Sequence, residues 1–338
     1  MSPELSFTGL SVLLARVTPH SVAIVHALLR DGARVTVAAE LDDLPTSLRD
    51  LAERALVTLD AAADPTTHDV VLRADVSTAP SAADLPDRPV DGDTPVVGSV
   101  TLLGGGLGDP GLLTVAGIEA IRRADVIVHD RLAPLSALRH ARDDVMVIDV
   151  GKIPRGDFTP QERINDVIVE HALAGRDVLR FKGGDNFVFG RGGEEAEACT
   201  ARGIPVTVIP GISSSIAAPA LAGIPVTHRA LVQGFTVVSG HVAPGDPRST
   251  LDWGAIARSN TTIVILMGVA TLRAVAATLV SEGLSSQTPA AVVADAGLPS
   301  MRTARAPLAE IANTAERERL GAPAVVVIGD VAALDVLR

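Results

Sequence analysis

Apolar residues recur along this chain in short runs separated by longer stretches of mixed polarity, the pattern of strands alternating with helices. The first set, SVLLARVTPHSVAIVHALLRDGARVTVAAE (11–40), predicts strand, turn, helix and strand, with RDGA closing the helix before VTVAA. VTL (57–59) and DVVLRA (69–74) add two short strands, so the chain opens on a βαβ pattern. In TAPSAADLPDRPVDGDTP (78–95), Pro80, Pro86, Pro89 and Pro95 stand among acids and small residues, which predicts an extended, weakly packed connection. Beyond it the runs become regular. VTLL (100–103), DVIVHD (125–130), VMVIDV (145–150), DVLRF (177–181) and PVTVIP (205–210) predict a mainly parallel sheet with helices between its strands. FTVVSGH (235–241), TIVILMG (262–268), AAVVADAG (290–297) and AVVVIGD (324–330) form a second set, and with it a second lobe.

Ligands of open α/β sheets bind beyond the carboxyl ends of the strands. The residues ending these runs are therefore the ones to inspect: Gly104, Asp130, Lys152, Lys182, Gly211, His241, Met267 and Gly297.

A length of 338 residues predicts about two domains. With 47% hydrophobic but only 2% aromatic residues, the core must be built from Ala, Val, Leu and Ile, which suits buried strands flanked by helices. A formal charge of −11 without a basic stripe argues against general affinity for nucleic acid or anionic membrane. The single cysteine, Cys199, excludes an internal disulfide and a thiolate metal cluster; in the helical run EEAEACTARG it is expected as a buried packing residue. MSPELSFTGL has no basic segment followed by a long apolar run, and every apolar stretch is broken by Gly, Pro or charge, so a cytoplasmic protein is expected.

GGGLGDPGLLT (104–114) follows a strand and is read as opening a helix, where small residues let backbone amides approach a ligand. Gly106, Gly108 and Gly111 match the letters G-x-G-x-x-G, and Asp130 falls about where a ribose-binding acid belongs, so a nicotinamide-dinucleotide site is one reading. Asp109 and Pro110 at the point where that fingerprint opens its helix speak against it.

GGGLGDPGLLT, DVIVHDRLAP, VGK, QERIN, RFKGGDNFVFGRGGEE, VIPGISSSIAAPALAGIPVTHR, VSGH, LMG and VVVIGDV follow one another in this order. In order and spacing they resemble the tetrapyrrole methyltransferase family, and most of all its uroporphyrinogen-III C-methyltransferase branch. The resemblance covers residues 97–336. It implies a two-lobed α/β fold, lobes 97–210 and 211–336, with S-adenosylmethionine as methyl donor and no metal or NAD. By motif position, cofactor contacts are expected at Leu107, Gly183, Gly184, Asp185, Val188, Ser213, Ser214, Met267 and Gly297. The implied reaction methylates C2 and C7 of uroporphyrinogen III, giving precorrin-2 for sirohaem and cobalamin synthesis. Asp130 takes the position of a proton acceptor and Lys152 that of a donor or electrostatic partner; the bland reading of Asp130 is a cap on a helix over RLAPLSALRH. The substrate's many carboxylates call for local cations, for which Arg131, Lys152, Arg155, Lys182, Arg191, His228, Arg229 and His241 are candidates, while Lys182, Arg191 and Arg229 serve equally as loop braces. The expected partner is a small-molecule tetrapyrrole, and the expected assembly a homodimer.

The chain departs from the family pattern at Leu107 and Asn186, where proline is usual, and at His129, where tyrosine is usual. It departs again in GKIPRGDF, where Ile153 and Asp157 replace an arginine and a histidine. These changes leave two alternatives open, a sister methyltransferase acting on a later precorrin and a non-catalytic binding paralogue. Residues 1–77 resemble the dehydrogenase and ferrochelatase module fused to this methyltransferase in sirohaem synthases, followed by a linker over 78–96. Its cofactor turn is replaced by ARVTPHS (15–21), in which side chains obstruct a pyrophosphate and Pro19 removes an amide. The expected architecture is thus a two-lobed tetrapyrrole methyltransferase fold behind a small degenerate Rossmann-like α/β domain that serves a structural role, a dimer contact among them.

Overall fold

The apolar runs at 11–14 and 34–37 become short strands whose apolar side chains are mostly buried. The computed structural model describes residues 7–17, 21–30, 32–72, 97–151 and 160–337. β1 (Ser11–Leu14), α1 (Ser21–Arg30), β2 (Arg34–Val37), α2 (Thr46–Glu53), β3 (Thr58–Leu59) and β4 (Val70–Leu72) build a four-stranded sheet in the order β3-β2-β1-β4. Its pairings are all parallel. That is the order of a doubly wound, Rossmann-like sheet.

A second parallel sheet follows, ordered β7-β6-β8-β5-β9, from β5 (Val100–Gly104), β6 (Val126–His129), β7 (Met146–Asp149), β8 (Val178–Lys182) and β9 (Val206–Ile209). Its helices are α3 (Val115–Arg123), α4 (Gln161–Leu173) and α5 (Gly192–Thr200). These two sheets belong to one compact unit, residues 1–212. Val25, Leu48 and Leu51 of the first sheet's helices share a hydrophobic cluster with Ile121, Ile127, Leu135 and Phe181 around the second, so the N-terminal domain is packed onto its neighbour.

Residues 213–338 form the other unit. Its elements are α6 (Ser214–Leu221), β10 (Phe235–Ser239), α7 (Trp253–Ala257), β11 (Thr262–Leu266), α8 (Leu272–Ser281), β12 (Pro289–Ala294), β13 (Arg302–Pro307), α9 (Ile311–Arg317) and β14 (Ala324–Ile328). The sheet order is β10-β11-β14-β12-β13, with β10 parallel to β11 and β14 antiparallel to both its neighbours. β13 was not predicted: RTARAP lies at the sheet edge with one residue, Ala304, buried, so it lacks an apolar run. RLAPLSALRH is not an α-helix either. Pro134 precedes a 3-10 turn over Leu135–His140, and the ring removes the amide an α-helix would need. Among the described residues no helix is long and apolar enough to cross a membrane.

Candidate functional site

In the first unit, the loops leaving β5, β8 and β9 meet at the carboxyl edge of the sheet through glycines. A Cβ on Gly104 would run into the backbone of Gly211, and one on Gly183 into Leu132 of the loop after β6. Close backbone approach is what these positions require. Gly106 and Gly184 exchange a pair of backbone hydrogen bonds, 3.1 and 2.7 Å, which joins the loop after β5 to the loop after β8. Asp185 completes the tie: its Oδ1 accepts from Phe187 N–H at 2.9 Å and its Oδ2 from Gly211 N–H at 3.1 Å.

Buried beneath these loops is a charge cluster. Alternate residues of a strand share a face, so Arg180 and Lys182 on β8 point the same way, and both are 3% exposed. Glu195, on α5 and 1% exposed, accepts from Arg180 Nε at 2.9 Å, from Lys182 Nζ at 2.9 Å and from Gln161 Nε2 at 3.3 Å. Burial, reinforced by the Arg180 charge, lowers the Lys182 pKa from its ordinary value. Asp130, at the end of β6, lies at the margin of this cluster. Its Oδ1 accepts from the Leu132 and Ala133 amides at 3.0 and 3.1 Å, while Oδ2 stands 3.5 Å from the Arg180 guanidinium. The carboxylate is thus held in one orientation and still 27% exposed. Just before it, burial depresses the His129 pKa, against the opposing pull of Asp149, 4.0 Å away.

The predicted site residues fall into groups. Leu107, Gly183, Gly184, Asp185 and Val188 come together around the glycine contacts, Leu107 buried and Val188 exposed. In the second unit, Ser213 caps α6 by accepting from Ser215 N–H, and Ser214 begins that helix. Met267 follows β11 in a left-handed conformation, φ +58°, unusual for so large a side chain, and is 48% exposed. Gly297 lies in the turn after β12. His228, Arg229 and His241 are exposed. Arg131 is engaged: its guanidinium donates to Asp50 of α2 at 2.7 Å, with both side chains largely buried. Lys152 and Arg155 lie outside the described residues, as do Ile153 and Asp157.

Sequence reasoning missed Glu195, the anion of the buried cluster, and the role of Asn186. Two cations at alternating positions of an otherwise apolar strand were the available signal for a buried acid nearby. Asn186 is fully buried, and its Nδ2 donates to the Leu102 and Ile209 carbonyls at 3.1 and 3.0 Å, tying β5 to β9. Proline, usual at this position, has no such donor. Cys199 is buried as expected, and desolvation pushes its thiol up to about 11.

The glycine letters at 106, 108 and 111 do not build a dinucleotide site. Asp109 caps a 3-10 turn over Pro110–Leu112, and the helix proper begins only at Val115, capped by Thr114. β8 also intervenes between β5 and β6, so Asp130 is two strands away from the glycine loop, where a ribose acid needs to be on the adjacent strand.

Residues 99–312 match the family model of the tetrapyrrole (corrin/porphyrin) methylases. The chain belongs to that family. The chain is 41% identical over 235 residues to the uroporphyrinogen-III C-methyltransferase of Priestia megaterium, covering 70% of this chain and 98% of that protein. It is 45% identical over 237 residues to a sirohaem synthase of Neisseria meningitidis serogroup B, covering 70% of this chain and 48% of the relative. The chain thus spans about half the length of the sirohaem synthases it resembles. Among solved structures, the uroporphyrin-III C-methyltransferase of Thermus thermophilus complexed with S-adenosylhomocysteine aligns at 36% identity and a TM-score of 0.59, covering 69% of this chain and 98% of that one. A cobalt precorrin-4 methyltransferase at 22% identity, TM-score 0.62, shares the fold.

Proposed function

We propose that this methylase transfers methyl groups from S-adenosylmethionine to C2 and C7 of uroporphyrinogen III, giving precorrin-2 and S-adenosylhomocysteine. The observation carrying this reading is the match to the Priestia enzyme over 98% of that protein's length, which leaves almost none of the relative unaccounted for. The loops fit the cofactor: Gly183 and Gly184 present bare backbone, Val188 offers exposed apolar surface, and Asp185 is fixed by two amides with lone pairs left for a ribose hydroxyl or an ammonium group. S-Adenosylmethionine supplies an electrophilic methyl group on a sulfonium. Ser213, Ser214, Met267 and Gly297 are assigned to the same cofactor by their motif positions.

In-line attack by an electron-rich pyrrole carbon needs alignment above all, so these residues act chiefly by orienting the reactants. Asp130 is the base in this reading. The Leu132 and Ala133 amides hold Oδ1, which leaves the partly exposed Oδ2 beside Arg180 to take the proton released as the ring system rearranges. Lys152, with Arg155, His228, Arg229 and His241, is assigned to the substrate's carboxylates. Arg131 is committed to Asp50 and serves as a brace instead. Residues 1–95 add no dehydrogenase or metal-insertion step, since ARVTPHS (15–21) has no glycine. The reading carries with it a cytoplasmic homodimer.

Incubating the protein with enzymatically generated uroporphyrinogen III and S-adenosylmethionine tests it. Two added methyls, followed by mass and absorption, are expected. The altered GKIPRGDF segment favours the second reading, a later precorrin as substrate; methylation of that precorrin alone would establish it, and binding without turnover would remove both.

A further inference from the structure

We infer that the N-terminal domain is a positioning element for the methyl-transfer site, with Ser47 and Asp50 on α2 clamping the ends of β6 and β7. The inference rests on the methyltransferase reading above. Ser47 and Asp50 are three apart on a helix and share a face. Both reach the neighbouring sheet, and each lands at a strand end.

Asp50 accepts from Arg131 at 2.7 Å, the residue following Asp130, and its second oxygen pairs with Arg54 at 3.3 Å. Ser47 donates to Asp149 Oδ2 from Oγ at 3.0 Å and from its backbone N–H at 3.3 Å. That amide is in the open first turn of α2, so Asp149 also satisfies a donor with no partner inside the helix. Asp149 turns its other oxygen to Gly151 N–H at 2.7 Å and lies 4.0 Å from His129 Nδ1, while the same Nδ1 is 3.2 Å from the Asp130 carbonyl.

The contacts therefore form one connected set. From α2 they run through Arg131 and through Asp149 and His129 to the backbone on both sides of the Asp130 carboxylate. All the ionic partners are partly or largely buried, so losing Asp50 strands Arg131 without a counter-charge, and the loop must move to hydrate it. A domain with no cofactor turn of its own thus still has a place in catalysis. It fixes where the β6 loop presents Asp130.

The test uses the full chain carrying Ser47→Ala with Asp50→Asn. The expected result is a kcat about tenfold lower, from a displaced base, with the Kd for S-adenosylhomocysteine within about twofold of wild type. Amide hydrogen exchange should quicken over 129–133 and 146–151. Ser47→Thr with Asp50→Glu keeps hydroxyl and charge and should recover most of the lost turnover. Ser11→Ala is the control, since it removes the Ser11–Asp69 bond at 2.7 Å inside the same domain without touching the clamp, and should leave kcat unchanged. An unchanged kcat in the double variant overturns the inference whatever the exchange shows, and so does an equal loss in Ser11→Ala. A wild-type chain inert toward uroporphyrinogen III removes the methyltransferase reading itself, an outcome distinct from active wild type with unaffected variants.

Discussion

In the N-terminal sheet β1 lies between β2 and β4 and runs parallel to both; in the sheet of residues 100–209, β8 separates β5 from β6. The first has the strand order of a dinucleotide-binding domain and no glycine at its first turn. The second has the glycine letters without the order. A dinucleotide needs both at once: small residues where the chain leaves the first strand, for its pyrophosphate, and an acid on the strand beside it, for its ribose. The contrast teaches that a glycine motif has chemical meaning only with the topology that places its partner residues.

The largest expected effect concerns what replaces a pyrophosphate turn in the second sheet. Glu195→Ala leaves Lys182 buried without its anion and Arg180 with Asp130 alone, 3.5 Å away, and should cost about 3–5 kcal/mol of stability by chemical denaturation. A loss below about 1 kcal/mol would show that the cluster is not what holds this edge together.

Next is Asp130, whose separation from the glycine loop removes it from ribose recognition. Asp130→Asn keeps an oxygen for the Leu132 and Ala133 amides but abolishes the base, so kcat should fall about 100-fold while S-adenosylhomocysteine binds normally. Near-normal turnover would reduce Asp130 to a turn cap.

Ligand binding tests both sheets together. S-Adenosylhomocysteine at about 100 times its Kd should stabilise the chain by about 2.7 kcal/mol, and NADH should produce no shift in thermal unfolding. Stabilisation by NADH would mean that one sheet works as a dinucleotide site despite its missing half.

The smallest effect is confined to the seam between the sheets. Burial, helped by neighbouring His129 and Arg54 against Asp50, lowers the His26 pKa from 6.5 to about 4. An unfolded chain takes up this proton near pH 6.5 and the folded chain only near 4, so stability is full above 6.5 and is lost as pH falls toward 4. Since part of the residue is exposed, about 1–2 kcal/mol is expected. His26→Leu should flatten the profile over that window, and an unaltered slope would place the titration elsewhere, with His129 the next candidate.

What was legible in the sequence follows from the same physics. VTLL, DVIVH and TIVIL stand out because their strands are buried on both faces, so most of their positions are apolar. RTARAP was invisible because an edge strand buries almost nothing. Asp185 and Ser213 could be placed from motif order, since their hydrogen-bond partners lie in the motif segments themselves. Arg131 was misjudged as free for substrate: its partner Asp50 is 81 residues earlier, beyond any local pattern. Asn186 was read as a departure, although its two carbonyl partners on separate strands make it a fastener.

The placement of β14 has a consequence for synthesis of the chain. This strand emerges from the ribosome after β10 to β13, yet it lies in the middle of their sheet, antiparallel to β11 and to β12. Until it arrives, the nascent second unit holds two separate strand pairs, β10–β11 and β12–β13, each with an inner edge of unpaired backbone groups. Such edges recruit other chains. The first unit has a shorter delay of the same kind, because β8 is made after β7 yet inserts between β5 and β6, and only then does β9 join at an edge. Vectorial folding therefore exposes the nascent chain to misassociation in two windows, between synthesis of β6 and of β8 and between synthesis of β11 and of β14.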